Sequence, residues 1–412
     1  MKALALLLLP LMASAADFPD LPPPQEVEAA LESNIDVQTA RTGISLEQSN
    51  KERLKEGEHE FNLRTDSASR KMLDAGGQRL REWGVALERP IRLPDKARID
   101  SDIGDAGVEH AQYALGDARH EAGRALLSLW FGWLREKAAA DQWEKQVGIL
   151  KQQAALTEKR VAAGDAPRME MNQANAALAQ AGVSLSQARN KALLAANDLT
   201  RRFPALRLPE RIDPSDPTPV PHDFAYWRSR VLADNHELGM MQSERQVQQL
   251  KAQRSLADKI PDPTIGLRYS SEFGGNELVT GVYLIVPFSF GLRDTIARGA
   301  GYQAEISAER EAYVKRRLEN DVRGVYAAAT GSYDTWINAR DAAISMRQNA
   351  DLAARAYSLG ESSLSDVLIA RRLSLESSLS ETMARLDANE SRYRLMLDAH
   401  ELWAMDEHES HQ

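Results

Sequence analysis

The chain has 412 residues, no cysteine, 6% aromatic residues and a formal net charge of -9. The missing cysteines exclude a disulfide-stapled domain, a thiolate metal site and a thiol nucleophile, and the negative charge argues against a nucleic-acid binder. A mean hydropathy of -0.45 cannot supply the apolar runs of a polytopic helical membrane protein.

Residues 1–16 read MKALALLLLPLMASAA. Lys2, a short apolar run and Ala13-Ser14-Ala15 make a secretory signal peptide with a small-x-small cleavage site. The mature chain then starts near Ala16 or Asp17, and losing Lys2 takes its charge from -9 to -10. With no cysteine at that point, a lipid-acylated N-terminus is not expected. A helix is predicted over about 24–58. Strand-like segments follow at Phe61–Thr65 and Trp83–Ile91, with a polar loop between them. From about Asp105 to Ala163 no proline interrupts a helical pattern, which at ~1.5 Å per residue runs on the order of 85–90 Å. A break at Gly164–Pro167 precedes a return helix to about Arg202. Residues 204–221 hold six prolines and read as a linker.

The same order then repeats. A helix is predicted at about 222–258 and strands at Thr264–Ser271 and Val279–Phe290 around a hairpin-type turn. A long helix at about 300–359 breaks at Gly360 and returns to about Trp403. Four anchors carry the repeat: Asn34 with Asn235, Leu63-Arg64 with Leu267-Arg268, Gly84 to Pro90 with Gly281 to Pro287, and Gly164 with Gly360. The expected organisation is a leader (1–16), repeat 1 (17–203), linker (204–221), repeat 2 (222–404) and tail (405–412). The fold class is mainly α with a small β part, each repeat contributing a strand pair and a long helical hairpin.

Two strands per repeat make four per chain, too few to close a barrel, since transmembrane barrels begin at about eight. Open edges are forbidden in lipid, so strands that spanned a membrane would have to come from several chains. Three chains would supply twelve. In Val279–Phe290 neither alternating set is clearly polar, so the lumen-facing set is not readable.

The hairpin breaks resemble those of the outer-membrane efflux factor family (the TolC/CusC/CzcC-like group). Residues 356–368, AYSLGESSLSDVL, are similar to its Tyr-x-x-Gly-x-x-x-x-x-Asp-Val-Leu signature, and residues 160–170 are a weaker twin. Residues 261–266 and 82–93 resemble the starts of its strands, the latter most like the heavy-metal branch. The resemblance implies a homotrimer with a twelve-stranded outer-membrane β-barrel, continued into the periplasm by an α-helical barrel. It implies a passive exit duct that docks on a periplasmic adaptor and an inner-membrane pump of resistance-nodulation-division type, for metal ions or drugs. It implies no catalysis and no cofactor.

Gly164 and Gly360 suit helix reversal because glycine takes positive φ without steric cost. On the resemblance, Val161, Ala162, Ala163, Gly164, Leu359, Gly360 and Ser362 are the adaptor-docking tips. A carboxylate stands six residues after each glycine, Glu170 and Asp366. In a trimer these make two acidic rings, so Asp366, Glu170 and Tyr357 are the candidate periplasmic gate. Ser362 and Ile369 depart from the family's arginine and second acid, which leaves open how a closed state is held. Gly84, Pro90, Gly281 and Pro287 mark the candidate membrane strands. Gly299-Ala300-Gly301-Tyr302-Gln303-Ala304 lacks the strand-turn-helix context of a dinucleotide site, and the histidine-containing tail 406–411 reads as frayed. Two alternatives stay open: a soluble periplasmic helical scaffold or adaptor without a pore, and the duct of a type I secretion system.

Overall fold

A computed structural model describes residues 18–73, 76–210 and 214–403. The predicted leader (1–16) and tail (405–412) lie outside the described residues. The elements are α1 (Pro24–Glu32), α2 (Ile35–Glu56), β1 (Asn62–Lys71), β2 (Arg79–Pro90), α3 (Pro94–Ala162), α4 (Arg168–Arg202), α5 (Phe224–Ala233), α6 (His236–Ala257), β3 (Thr264–Glu272), β4 (Glu277–Ile285), α7 (Leu292–Ser358) and α8 (Leu364–Asp398). The chain is two tandem repeats of helix pair, strand pair and long helical hairpin.

Each helix predicted at the head of a repeat is broken in two. Asn34 and Asn235 are N-caps, accepting hydrogen bonds from Asp36 N and Leu238 N, both at 2.9 Å. The Asn side chain satisfies a free donor of the new helix and stops the preceding one. The first hairpin is longer than expected: β1 runs to Lys71 and β2 starts at Arg79, so most of the expected polar loop is paired strand.

Two compact units form, and each draws on both repeats. One gathers the residues up to Ser33, Arg124–Pro221 and Ala327–Met396. The other gathers Asn34–Gly123, His222–Tyr326 and the residues from Leu397 on.

In the first unit Trp130 and Phe131 of α3, Leu386 and Tyr393 of α8, and Leu199 are buried. Asp20 lies within this core. Its carboxylate accepts from Ser215 N (2.6 Å), Ser215 Oγ (2.5 Å), Asn389 Nδ2 (3.2 Å) and Tyr393 OH (2.9 Å), and its carbonyl accepts from Trp130 Nε1 (2.7 Å). A buried carboxylate is tolerable because its two oxygens accept four hydrogen bonds, one at Oδ1 and three at Oδ2. Burial, with the Asp20 carboxylate beside it, pushes the Tyr393 phenol far up. Along α7, Ala329, Trp336, Ala343, Ala350 and Tyr357 are buried at seven-residue intervals. A strict seven-residue repeat gives 3.5 residues per turn, the period of left-handed supercoiled helices.

The second unit holds one antiparallel sheet in the order β1-β2-β3-β4. Beneath its strands Lys96 is 1% exposed, with its ammonium 3.0 Å from both Asp258 and Asp262, and it donates to Ile260 O at 2.7 Å. Among the described residues no helix is long and apolar enough to cross a membrane.

Candidate functional site: the hairpin tips and the sheet

The two helix reversals close in the same way. At the first, Gly164 N donates to Val161 O (3.1 Å) and Asp165 N to Arg160 O (2.8 Å). At the second, Gly360 N donates to Tyr357 O (3.1 Å) and Glu361 N to Ala356 O (2.9 Å). This is the Schellman pattern, and it needs a left-handed residue; Gly164 has φ +84° and Gly360 φ +79°. Ala162, Ala163, Gly164, Leu359 and Gly360 are exposed, and Val161 and Ser362 are half-buried. Leu359 leaves 67% of its surface open.

Behind the tips, Tyr357 and Leu364, Val367 of the second hairpin pack with Ala154 and Ala174 of the first. Tyr357 is buried, its hydroxyl donates to Glu170 Oε2 at 2.7 Å, and the Arg160 guanidinium lies 4.8 Å above its ring. Burial, then the Glu170 carboxylate, push the phenol up. Two of the three predicted gate residues thus meet across the two hairpins.

The third does not join them. Asp366 is exposed and turns back onto its own helix. Its carboxylate accepts from Ser363 N (3.1 Å) and Ser363 Oγ (2.8 Å), while Asp366 N donates to Ser363 Oγ (3.3 Å). This reciprocal arrangement is a capping box. The hydrogen bonds from the Ser363 side chain and backbone hold the carboxyl below the usual range. In the first hairpin Pro167 stands where Ser363 stands in the second, and it makes no side-chain cap. With no hydroxyl or N–H beside it, Glu170 is free to reach Tyr357. Ile369, three residues after Asp366, is 52% exposed.

The sheet register sorts the strands into two faces, because cross-strand partners share a side. One face carries Arg64, Asp66, Arg70, Glu82, Glu88, Arg268, Glu272, Glu277 and Tyr283. These are interlinked: Arg64 contacts Glu88, Arg70 contacts Glu82 and Glu272, and Arg268 contacts Glu272. Tyr283 reaches over β3 to donate to Glu88 at 2.6 Å. It crosses at Gly266, where an added Cβ would sit 2.3 Å from the phenol ring. Gly84 makes similar room for Asp66, whose carboxylate oxygen lies 2.7 Å from where a Cβ would be. The other face carries Leu63, Trp83, Val85, Leu87, Ile265, Leu267, Tyr269, Leu278, Val282 and Leu284. Most of these are exposed, Val282 by 73%.

The strand markers fall unevenly. Pro90 ends β2, whereas Pro287 lies two residues past the end of β4, because pairing with β3 stops at Thr264–Ile285. An added Cβ at Gly281 would meet nothing within 4 Å, so Gly281 and Gly84 differ in role. Glu88 and Gly266 carry the polar face and were not singled out from sequence. Their signal is a carboxylate and a glycine at positions that only pairing makes neighbours.

The family model described as "Outer membrane efflux protein" matches residues 58–202, from just before β1 to the end of α4. No curated protein matches the sequence. Among solved structures, the chain is similar to the CmeC outer membrane channel of Campylobacter jejuni, with a TM-score of 0.77 at 14% identity over 94% of this chain and 87% of that one. The outer membrane protein VceC of Vibrio cholerae superposes with a TM-score of 0.74 at 14% identity, covering 92% and 96%. CusC, described in connection with transmembrane channel formation, gives 0.71 at 12% identity, covering 91% of each chain. The chain has the protomer fold of these channels.

Proposed function

We propose that this chain is one protomer of an outer-membrane efflux duct. The observation that carries it is the sheet: four strands with open edges at β1 and β4, one ion-paired polar face and one exposed apolar face. An apolar face of that size left in water is unfavourable, and an open edge left in lipid is worse. Three copies of the four strands give twelve, enough to close both edges with the polar face inside and the apolar face toward lipid. The strands, of 9 to 12 residues, match the ~9–11 needed for a tilted crossing.

The helical hairpins extend the duct into the periplasm as an α-helical barrel. Their exposed tips, with Val161, Ala163, Gly164, Leu359, Gly360 and Ser362, dock on a periplasmic adaptor that links to an inner-membrane pump of resistance-nodulation-division type. The duct is passive. Residues 82–93 support metal ions as the cargo, with drugs the alternative. Glu170 and Tyr357 form the periplasmic constriction, and Asp366 places a second carboxylate at the rim while capping α8.

Cell fractionation tests the proposal. A heat-modifiable trimer in outer membranes that resists salt extraction is expected. Release by salt as a monomer would support a soluble periplasmic scaffold. Substituting Gly164 or Gly360 by a bulky residue should abolish export while leaving the trimer intact; unchanged export would remove the tips as docking sites.

A further inference from the structure

We infer that Lys71, Arg79 and Arg81 form a binding site for the phosphate groups of membrane lipids at the turn end of the sheet. The inference rests on the membrane placement proposed above.

The register segregates charge across the sheet. All five acids of the four strands, Asp66, Glu82, Glu88, Glu272 and Glu277, lie on the polar face. The three arginines of that face, Arg64, Arg70 and Arg268, each contact one of them. The apolar face carries no acid, yet it carries Lys71, Arg79, Arg81 and Arg89. Lys71 and Arg79 are direct cross-strand partners, and Arg81 follows on the same side opposite Ser69. All three are exposed, and none forms an ion pair among the described residues.

Like charges placed directly opposite destabilise a strand pair, so the cluster calls for an anion from outside the sheet. Its position says which. Arg81 and Arg89 bracket the apolar side chains of β2, and the eight residue steps from one to the other span about 26 Å along the strand. Tilted by ~40°, that rise is about 20 Å, close to the ~25 Å apolar band of a membrane barrel. Trp83 and Tyr269, with ring centroids 5.9 Å apart, stand just inside Arg81 as interfacial aromatics do. The cations therefore sit at headgroup depth, where lipid phosphates lie.

The test reconstitutes the full-length protein into phosphatidylcholine vesicles with or without bisphosphorylated lipid A. The protein is re-extracted in mild detergent, and native mass spectrometry counts the lipid A retained per chain. Wild type is expected to retain it. Lys71→Gln/Arg79→Gln/Arg81→Gln should retain at least about tenfold less, since each basic group near an anionic surface contributes on the order of fivefold. Lys71→Arg/Arg79→Lys/Arg81→Lys should retain the wild-type amount. Equal retention by the neutral triple variant overturns the inference and leaves the cluster to an acidic protein surface. Displacement of lipid A by inorganic phosphate alone overturns it too, because the site would then be a simple anion site. Failure of the wild type to float with phosphatidylcholine vesicles would sink the membrane placement itself, and this inference with it.

Discussion

Glu170 and Asp366 stand at the same place in two copies of one motif, and a single neighbouring residue sends them to different tasks. Ser363 offers a hydroxyl and an N–H, so Asp366 caps α8; Pro167 offers neither, so Glu170 crosses to Tyr357. Asp366→Ala should lower protection of the first-turn amides of α8 in hydrogen exchange. Its carboxyl is held below the usual range in the folded state, so the contribution is present above the ordinary aspartate range and is lost as pH falls through the lowered value. A wild-type tip whose protection is flat through that fall would refute the capping role. Tyr357→Phe should cost about 1 kcal/mol in thermal or chemical unfolding and raise single-channel conductance in planar bilayers. The Tyr357 phenol is pushed up, so the stabilisation holds below the ordinary tyrosine range and fades as pH rises through the raised value. Glu170→Gln keeps an acceptor and should perturb less than Tyr357→Phe. Equal conductance in all three proteins would take this bond out of the gate.

At the scale of elements, the long helices are legible in sequence because proline is absent and the apolar period is continuous. What the pattern hides is where a helix divides. Asn34 and Asn235 interrupt stretches whose periodicity runs on, since a capping side chain competes with the next helical bond without changing hydrophobicity. The seven-residue seam of α7 is lined mainly by alanine, and it yields a direct expectation. Ala343 and Ala350 are buried, so Ala343→Leu or Ala350→Leu should destabilise by about 1–3 kcal/mol through overpacking. Calorimetry reads this as a lowered Tm, and an unchanged Tm would mean the seam is looser than described. The strand repeat also shifts at this scale. Gly84 and Gly281 pair with Asp66 and Arg268, so Leu63 and Leu267 are offset by two residues from true equivalence. A slip of two keeps every side chain on its face, which is why the anchor still pointed to the right strands.

At the scale of the whole molecule, the two faces of the sheet decide what the chain can be inside. Val282 and Val279 are both exposed valines in β4, one on the apolar and one on the polar face. Val282→Arg should cost about 2–4 kcal/mol at mid-bilayer depth and prevent vesicle flotation or trimer formation. Val279→Arg should insert normally and shift reversal potentials away from cations. If both variants insert equally well, the facing assignment is wrong. The sequence alone determined the class of molecule: long proline-free helices, glycine-centred reversals, a duplicated order and a strand count too small to close. Those follow from local rules of period, turn and cap, which neighbours three or four residues away are enough to settle. It could not decide which side of β4 is polar, because neither alternating set of Val279–Phe290 is clearly polar by itself. Tyr283 joins the polar face only because Gly266 leaves a gap through which it reaches Glu88. That contact depends on pairing between residues some 180 to 195 positions apart, and so only the tertiary structure fixes it.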